Sequence, residues 1–267
     1  MYRLGLIGHP VNHSNSPDIH HFFLKQTNNN GTYRLFDLQA EELEEFLKNM
    51  RHSDLNGINV TVPYKERVIP FLDDLDEHAQ KLNAVNTIKR KGNRLIGYNT
   101  DGEGYIESLN QTYPNFYNQI NNQSILILGA GGAAKGIFYS LKSHAPKQLD
   151  VANRTISKAS KMTNHYEHSQ EMDLEYAEKQ LDQYDLIIQT TNVGMEPNEN
   201  ELIISPKTIK ENAIVSDIVY KPKRTLFLTE AERYGAHLMF GESMLWYQAA
   251  KSFNIWTGES VEHTIRI

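Results

Sequence analysis

The chain has 267 residues, 39% of them hydrophobic and 22% charged, with a formal net charge of −6: enough for two domains or one large one, and no basic excess for nucleic acid or an anionic membrane. Cysteine is absent, which excludes disulfides, thiolate metal sites and cysteine nucleophiles and fits a reducing compartment. No apolar run approaches the ~18 residues of a membrane span and the opening Met1-Tyr2-Arg3-Leu4-Gly5-Leu6-Ile7-Gly8 is no signal peptide, so the expectation is a soluble cytoplasmic protein.

Residues 2–7 read as a first strand, ending at Gly8-His9-Pro10. His9 and His13 have the spacing of helical metal ligands, but Pro10 and the polar loop around them argue against a helix, and no metal site is expected. Ser14-Asn15-Ser16-Pro17 then opens a helix running to Gln26. Ser16 reads either as an N-cap before a proline or, with Ser14, as a small carboxylate or phosphate site at free helix N–H groups. Residues 31–38 form a second strand, and residues 40–50 an acidic amphipathic helix with Leu43, Phe46, Leu47 and Met50 inward.

In Gly57-Ile58-Asn59-Val60-Thr61-Val62-Pro63-Tyr64-Lys65, Ile58, Val60 and Val62 alternate with Asn59 and Thr61. Two polar side chains on one strand face imply a polar cavity or a satisfied buried network. Pro63 should open a helix with Lys65 in its first turn, an unfavourable place for a cation unless it is simply solvated. Residues 74–82 read as helix, and 84–88 and 94–98 as strands joined at Lys91-Gly92-Asn93. Thr100 and Glu103 have capping-box spacing, which leaves Asp101 without a necessary structural role.

Residues 110–124 read as helix end and loop. The run Ile125-Leu126-Ile127-Leu128-Gly129-Ala130-Gly131-Gly132-Ala133-Ala134 then has the form strand, tight turn, small-residue helix. Its G-x-G-x-x-A spacing suits a pyrophosphate at a helix N-terminus, or an ordinary glycine turn. Residues 148–153 are the next strand. Where an acid would meet an adenosine ribose stand Asn153 and Arg154, with Lys158 one turn on; this suits a 2′-phosphate and hence NADP, or two exposed basic residues. Strands at 184–189, 213–217 and 237–239, a helix at 224–234, a break at Gly241 and a last helix at 242–256 complete a parallel, doubly wound sheet. Met244 and Gln248 share a face of that last helix.

Ser14-Asn15-Ser16-Pro17, Asn59 through Lys65, Ala84-Val85-Asn86-Thr87, Asn99-Thr100-Asp101-Gly102, the glycine turn, Asn153-Arg154-Thr155, Asp217-Ile218-Val219-Tyr220-Lys221-Pro222 and Gly241 through Gln248 to Trp256-Thr257-Gly258 together resemble the shikimate dehydrogenase family over nearly the whole chain. The resemblance implies an α/β protein: a substrate-binding and catalytic domain at 1–102, a Rossmann-type NADP domain at 103–240, and a C-terminal helix at 241–267 returning to the first. It implies NADPH-linked reduction of 3-dehydroshikimate to shikimate by a monomer or homodimer. Ser14 and Ser16 would bind the substrate carboxylate, and Asn59, Thr61, Asn86, Tyr220 and Gln248 would line the ring pocket. Lys65 and Asp101 would flank the reacting oxygen. Gly129, Ala130, Gly131, Gly132, Ala133, Ala134, Asn153, Arg154, Thr155, Lys158, Thr190, Ile218 and Gly241 would meet the cofactor. Asn192 stands where the family usually has proline before Val-Gly-Met. Ketone reduction builds negative charge on oxygen, so Lys65 is the main catalytic candidate, with Asp101 positioning it or binding the hydroxyl. The alternatives are a broader quinate/shikimate dehydrogenase and a non-catalytic NADPH-binding module, which would not need Lys65 and Asp101.

Overall fold

A computed structural model describes residues 1–164 and 166–261. The chain divides into two compact units, Met1–Asp101 with Trp246–Ile267, and Gly102–Leu245. Among the described residues, each unit contains one six-stranded sheet, and no helix is long and apolar enough to cross a membrane.

Unit 1 runs β1 (Tyr2–Gly8), α1 (Ser16–Gln26), β2 (Gly31–Asp37), α2 (Leu43–Met50), β3 (Gly57–Val60), β4 (Asp74–Leu75), α3 (Glu77–Leu82), β5 (Thr87–Lys91) and β6 (Arg94–Tyr98). The sheet order is β2-β1-β3-β5-β6-β4. β1 lies parallel to both β2 and β3, while β5 is antiparallel to β3 and β6. One face is covered by Leu43, Leu47 and Met50 of α2 against Ile7, Ile58, Val60 and Ile88. On the other, Phe23 and Leu24 of α1 pack with Leu4, Leu6, Tyr33, Ala249, Phe253 and Trp256. Fully burying one such side chain stabilises by roughly 1.5–3 kcal/mol.

Three sequence expectations shift here. β3 ends at Val60, and Val62 is 68% exposed rather than continuing the buried alternation. No helix opens at Pro63: the Thr61 carbonyl accepts from Tyr64 N to close a turn, and the Lys65 carbonyl accepts from Val85 N at 2.7 Å, which takes it out of any helical ladder. Residues 74–75 are strand, because the neighbouring Asp73 and Asp76 amides donate to Leu95 and Gly97 of β6. The helix starts only at Glu77, where the Asp76 side chain accepts from Ala79 N.

Unit 2 follows α4 (Asp101–Thr112) and α5 (Pro114–Tyr117) with β7 (Ser124–Leu128), α6 (Gly132–Lys142), β8 (Gln148–Ala152), α7 (Ile156–Thr163), β9 (Glu171–Met172), α8 (Leu174–Glu178), β10 (Leu186–Gln189), β11 (Ile214–Asp217), α9 (Leu226–Arg233), β12 (His237–Phe240) and α10 (Gly241–Thr257), whose later turns belong to unit 1. Its order is β12-β11-β10-β7-β8-β9, every pairing parallel. Both faces of β7 are buried. Ile125 and Ile127 pack with Ile137, Phe138 and Leu141 of α6, whereas Leu126 and Leu128 pack with Val215, Phe227 and Leu228. A strand covered on both sides reads as an unbroken apolar run, which is what residues 125–128 are. Gly241 is the first residue of α10 rather than a break. A Cβ there would stand 2.4 Å from the Ile218 carbonyl oxygen, so close backbone approach explains the glycine.

Candidate active site

In unit 1 the polar residues singled out in sequence meet around Asp101. The Lys65 Nζ donates to Asp101 Oδ2 at 2.6 Å, with the two side chains only 17% and 5% exposed. Asp101 Oδ1 accepts from Asn86 Nδ2 at 2.9 Å. The Asn86 amide has one possible orientation: Thr100 N, a donor only, points at Oδ1 from 2.9 Å, so Nδ2 must face Asp101. Asp101 is the first residue of α4, where a carboxylate is favoured by the helix dipole, and its own N–H donates to Asn99 Oδ1. The Thr100 hydroxyl donates to the Gln248 carbonyl at 3.0 Å and accepts from Asn86 Nδ2 at 2.9 Å. Gln248 Oε1 accepts from Asn86 Nδ2 at 3.4 Å. Both oxygens of Asp101 are therefore held, which fixes the ammonium beside it.

Asn59 is buried as well. Its Oδ1 accepts from Tyr33 Oη at 2.8 Å, and its Nδ2 donates to the Asn86 carbonyl, Thr87 Oγ1 and Ser252 Oγ. Of the two alternatives for this strand face, Asn59 thus takes the satisfied buried network, while Thr61 is half-buried. Tyr33 and Ser252 were not singled out from sequence, and Thr87 appeared there only as part of the Asn86 motif, without a site role. Ser252, one helical turn after Gln248, was the findable one, since i and i+4 share a helix face.

At α1 the cap is Asn15, with no side-chain bond, and Ser16 is the first helical residue rather than the N-cap. Ser14 Oγ accepts from Ser16 N and lies 3.0 Å from Ser16 Oγ. Two hydroxyls are therefore held together at a helix start, a fitting arrangement for a small anion.

Unit 2 gathers the glycine turn and the ends of its neighbours. Gly129 has φ +116°, and a Cβ there would stand 2.5 Å from Thr190 Oγ1. Thr190 donates both N–H and hydroxyl to the Leu128 carbonyl and so braces the turn from below. Gly131 caps α6 without a side chain, and a Cβ there would meet nothing within 4 Å. Gly132 and Ala133 are half-exposed, Ala130 is buried, and Ala134 packs into the core and lets the helix sit close to the strand. The Asn153 amide donates to the Thr155 carbonyl, shaping the turn before α7, while Arg154, Thr155 and Lys158 are exposed. Ile218 and Tyr220, half-buried, follow β11, and Gly241 opens α10 against the Ile218 carbonyl. An open cradle of N–H groups over a helix start, flanked by a guanidinium and an ammonium, fits a dinucleotide with a 2′-phosphate.

Comparison with known proteins accords with this geometry. The model of the shikimate dehydrogenase substrate binding domain matches residues 6–88, and that of shikimate / quinate 5-dehydrogenase residues 112–219. The chain is 46% identical to Shikimate dehydrogenase (NADP(+)) of Oceanobacillus iheyensis, covering 97% of this chain and 93% of the relative. Against the Bacillus subtilis protein of the same name, identity is 42%, with 96% and 91% covered. A crystal structure of Shikimate 5-Dehydrogenase from Thermus thermophilus, in complex with NADP(H) and shikimate, superposes with a TM-score of 0.88 at 32% identity over 98% of this chain and 95% of that one. Shared sequence at this level over almost the full length of each relative settles the family: this chain belongs to the NADP-dependent shikimate dehydrogenases.

Proposed function

We propose that the chain reduces 3-dehydroshikimate reversibly to shikimate with NADPH, and that Lys65 and Asp101 carry the proton chemistry. The supporting observation is the largely buried Lys65 Nζ–Asp101 Oδ2 contact of 2.6 Å, with Asn86 holding the second carboxylate oxygen. The dinucleotide supplies the hydride when bound. Lys65 stabilises, and passes a proton to, the oxygen that becomes negative as the carbonyl is reduced; a fixed cation costs no reorganisation at that moment. Asp101 keeps the ammonium in place and accepts from the substrate hydroxyl. Ser14 and Ser16 hold the carboxylate, and Asn59, Thr61, Asn86 and Gln248 define the ring pocket.

In the same reading, residues 1–102 with the last helix form the substrate domain and residues 103–240 the NADP domain. Gly129 to Ala134 receive the pyrophosphate, with Thr190, Ile218 and Gly241 at the nicotinamide end. Asn153, Arg154, Thr155 and Lys158 meet the adenosine 2′-phosphate. The enzyme acts in the cytoplasm as a monomer or homodimer. Steady-state assay of NADP+ reduction with shikimate and with quinate tests the reading. Turnover on shikimate should dominate; turnover on quinate alone, or on neither, would overturn it.

A further inference from the structure

β7 and β10 are neighbours in the sheet, although the chain visits β8 and β9 between them. The strand order reverses at that point, and ligands of doubly wound sheets bind outside the carboxyl ends of the strands at such a reversal. The segment leaving β10 there, residues 190–195, contains a glycine at φ +81° (Gly194) and ends at the 41% exposed Met195.

One buried side chain dictates how that segment leaves the sheet. Gln189, the last residue of β10, is 0% exposed. Its Nε2 donates to the Thr191 carbonyl at 3.2 Å and the Val193 carbonyl at 3.0 Å, and its Oε1 accepts from Thr191 N. A single carboxamide thus replaces the backbone partners that three main-chain groups lose where the strand ends. Thr191 Oγ1 accepts from Val193 N at 3.2 Å and tightens the same turn.

The carboxamide is itself oriented. Nε2 lies 3.4 Å from Oδ1 of Asp217, the buried last residue of β11. Asp217 Oδ1 accepts from Val219 N at 2.9 Å, and Oδ2 accepts from Thr225 Oγ1 at 2.7 Å, the threonine that caps α9. Being an acceptor, the carboxylate fixes which end of the Gln189 amide faces it and leaves Oε1 for Thr191 N. Burial pushes Asp217 up to about 7, against the opposing pull of its Val219, Thr225 and Gln189 donors.

We propose that Gln189 is a positioning residue for the dinucleotide: its carboxamide, oriented by Asp217, holds residues 190–195 in the shape that seats the cofactor at the β7/β10 reversal. The proposal rests on the reading of unit 2 as the NADP domain. Gln189 acts through the loop backbone rather than by touching the reaction.

The test uses the full chain carrying Gln189→Met, which keeps length and bulk but makes no hydrogen bond. Amide hydrogen exchange is measured without ligand, NADPH binding by fluorescence titration, and kcat and KM separately. Exchange at residues 190–195 should accelerate about tenfold or more, as lost loop hydrogen bonds imply, with β7 and β11 unchanged. NADPH affinity should fall about tenfold, and kcat should fall by more than KM for shikimate rises. Should Gln189→Met not fold, Gln189→Asn keeps the amide but shortens its reach by one methylene, and the same changes are expected. Unchanged loop exchange, or a released loop with wild-type NADPH affinity and kcat, would overturn the proposal. Failure of the unaltered chain to bind NADPH would instead overturn the underlying reading of unit 2.

Discussion

Around Asp101 in unit 1, every carboxylate and amide is already engaged by a neighbouring side chain or backbone group; at the glycine turn of unit 2, α6 begins with no side-chain cap and Arg154, Thr155 and Lys158 stand exposed. The first is assembled from side chains held by other side chains. The second is made of backbone and of long side chains left to find their partner. The contrast follows from where charge appears. A ligand that carries its own phosphates can organise exposed cations, but an oxygen that turns negative only during reaction needs its cation fixed beforehand.

The largest expected effect lies on the pre-set side. Lys65→Ala should lower kcat by ~10²–10⁴ with a smaller change in KM, because an interaction realised at the transition state acts on kcat. Lys65→Met should do nearly the same despite preserving the stem. If kcat holds within about threefold and only KM rises, the buried pair is a binding contact and the contrast between the units collapses.

On the open side, Arg154→Ala should weaken NADPH binding by ~1.5–3 kcal/mol, the loss of a charge-assisted contact, and leave NADH nearly untouched. Titration with both dinucleotides checks this. Equal losses would mean that the guanidinium does not read the 2′-phosphate.

A smaller effect distinguishes the units by pH. His20 of α1 is fully buried, stacked on Tyr33 with ring centroids 4.4 Å apart, and burial pulls its pKa down to about 3. A base held neutral in the fold stabilises fully above its unfolded value near 6.5 and loses that contribution as pH falls toward 3. Between pH 7 and 5 unit 1 should therefore lose about 2 kcal/mol from this group alone. Both tryptophans, Trp246 and Trp256, lie in unit 1, so denaturant unfolding followed by tryptophan fluorescence reports it selectively. His20→Phe should flatten that acid limb; an unchanged limb would show that other groups set it.

Much of the fold is legible in sequence because it is written in local periodicity. The unbroken apolar run at 125–128, stopped by glycine, reads as a strand covered on both faces, and the Gly92 turn between β5 and β6 was marked by its glycine, at φ +62°. The misreadings came where a distant partner overrode a local signal. Pro63 looked like a helix start until Val85 N claimed the Lys65 carbonyl, and residues 74–75 looked helical until the flanking Asp73 and Asp76 amides donated to β6. β9 is two residues long and left no pattern to detect. In the candidate site, motif residues such as Asn86, Thr87 and Asp101 were visible, while Tyr33 and Ser252 were not. Their part arises only from residues brought together from 33 to 252 in the chain, and no local window spans that separation.

Unit 1 is closed by residues from both ends of the chain: Leu4, Leu6 and Phe23 share a cluster with Phe253 and Trp256, and a Cβ at Gly57 would strike the Trp256 ring. During synthesis, then, residues 1–101 leave the ribosome with one sheet face only partly covered, by α1, and must wait for residues 246–257 to complete it, whereas Gly102–Leu245 is continuous and complete once emerged. The order of maturation runs against the order of translation. Protease challenge of stalled nascent chains should find the middle of the protein resistant while its N-terminal third is still cut, and protection of that third should arrive only with residues 246–257.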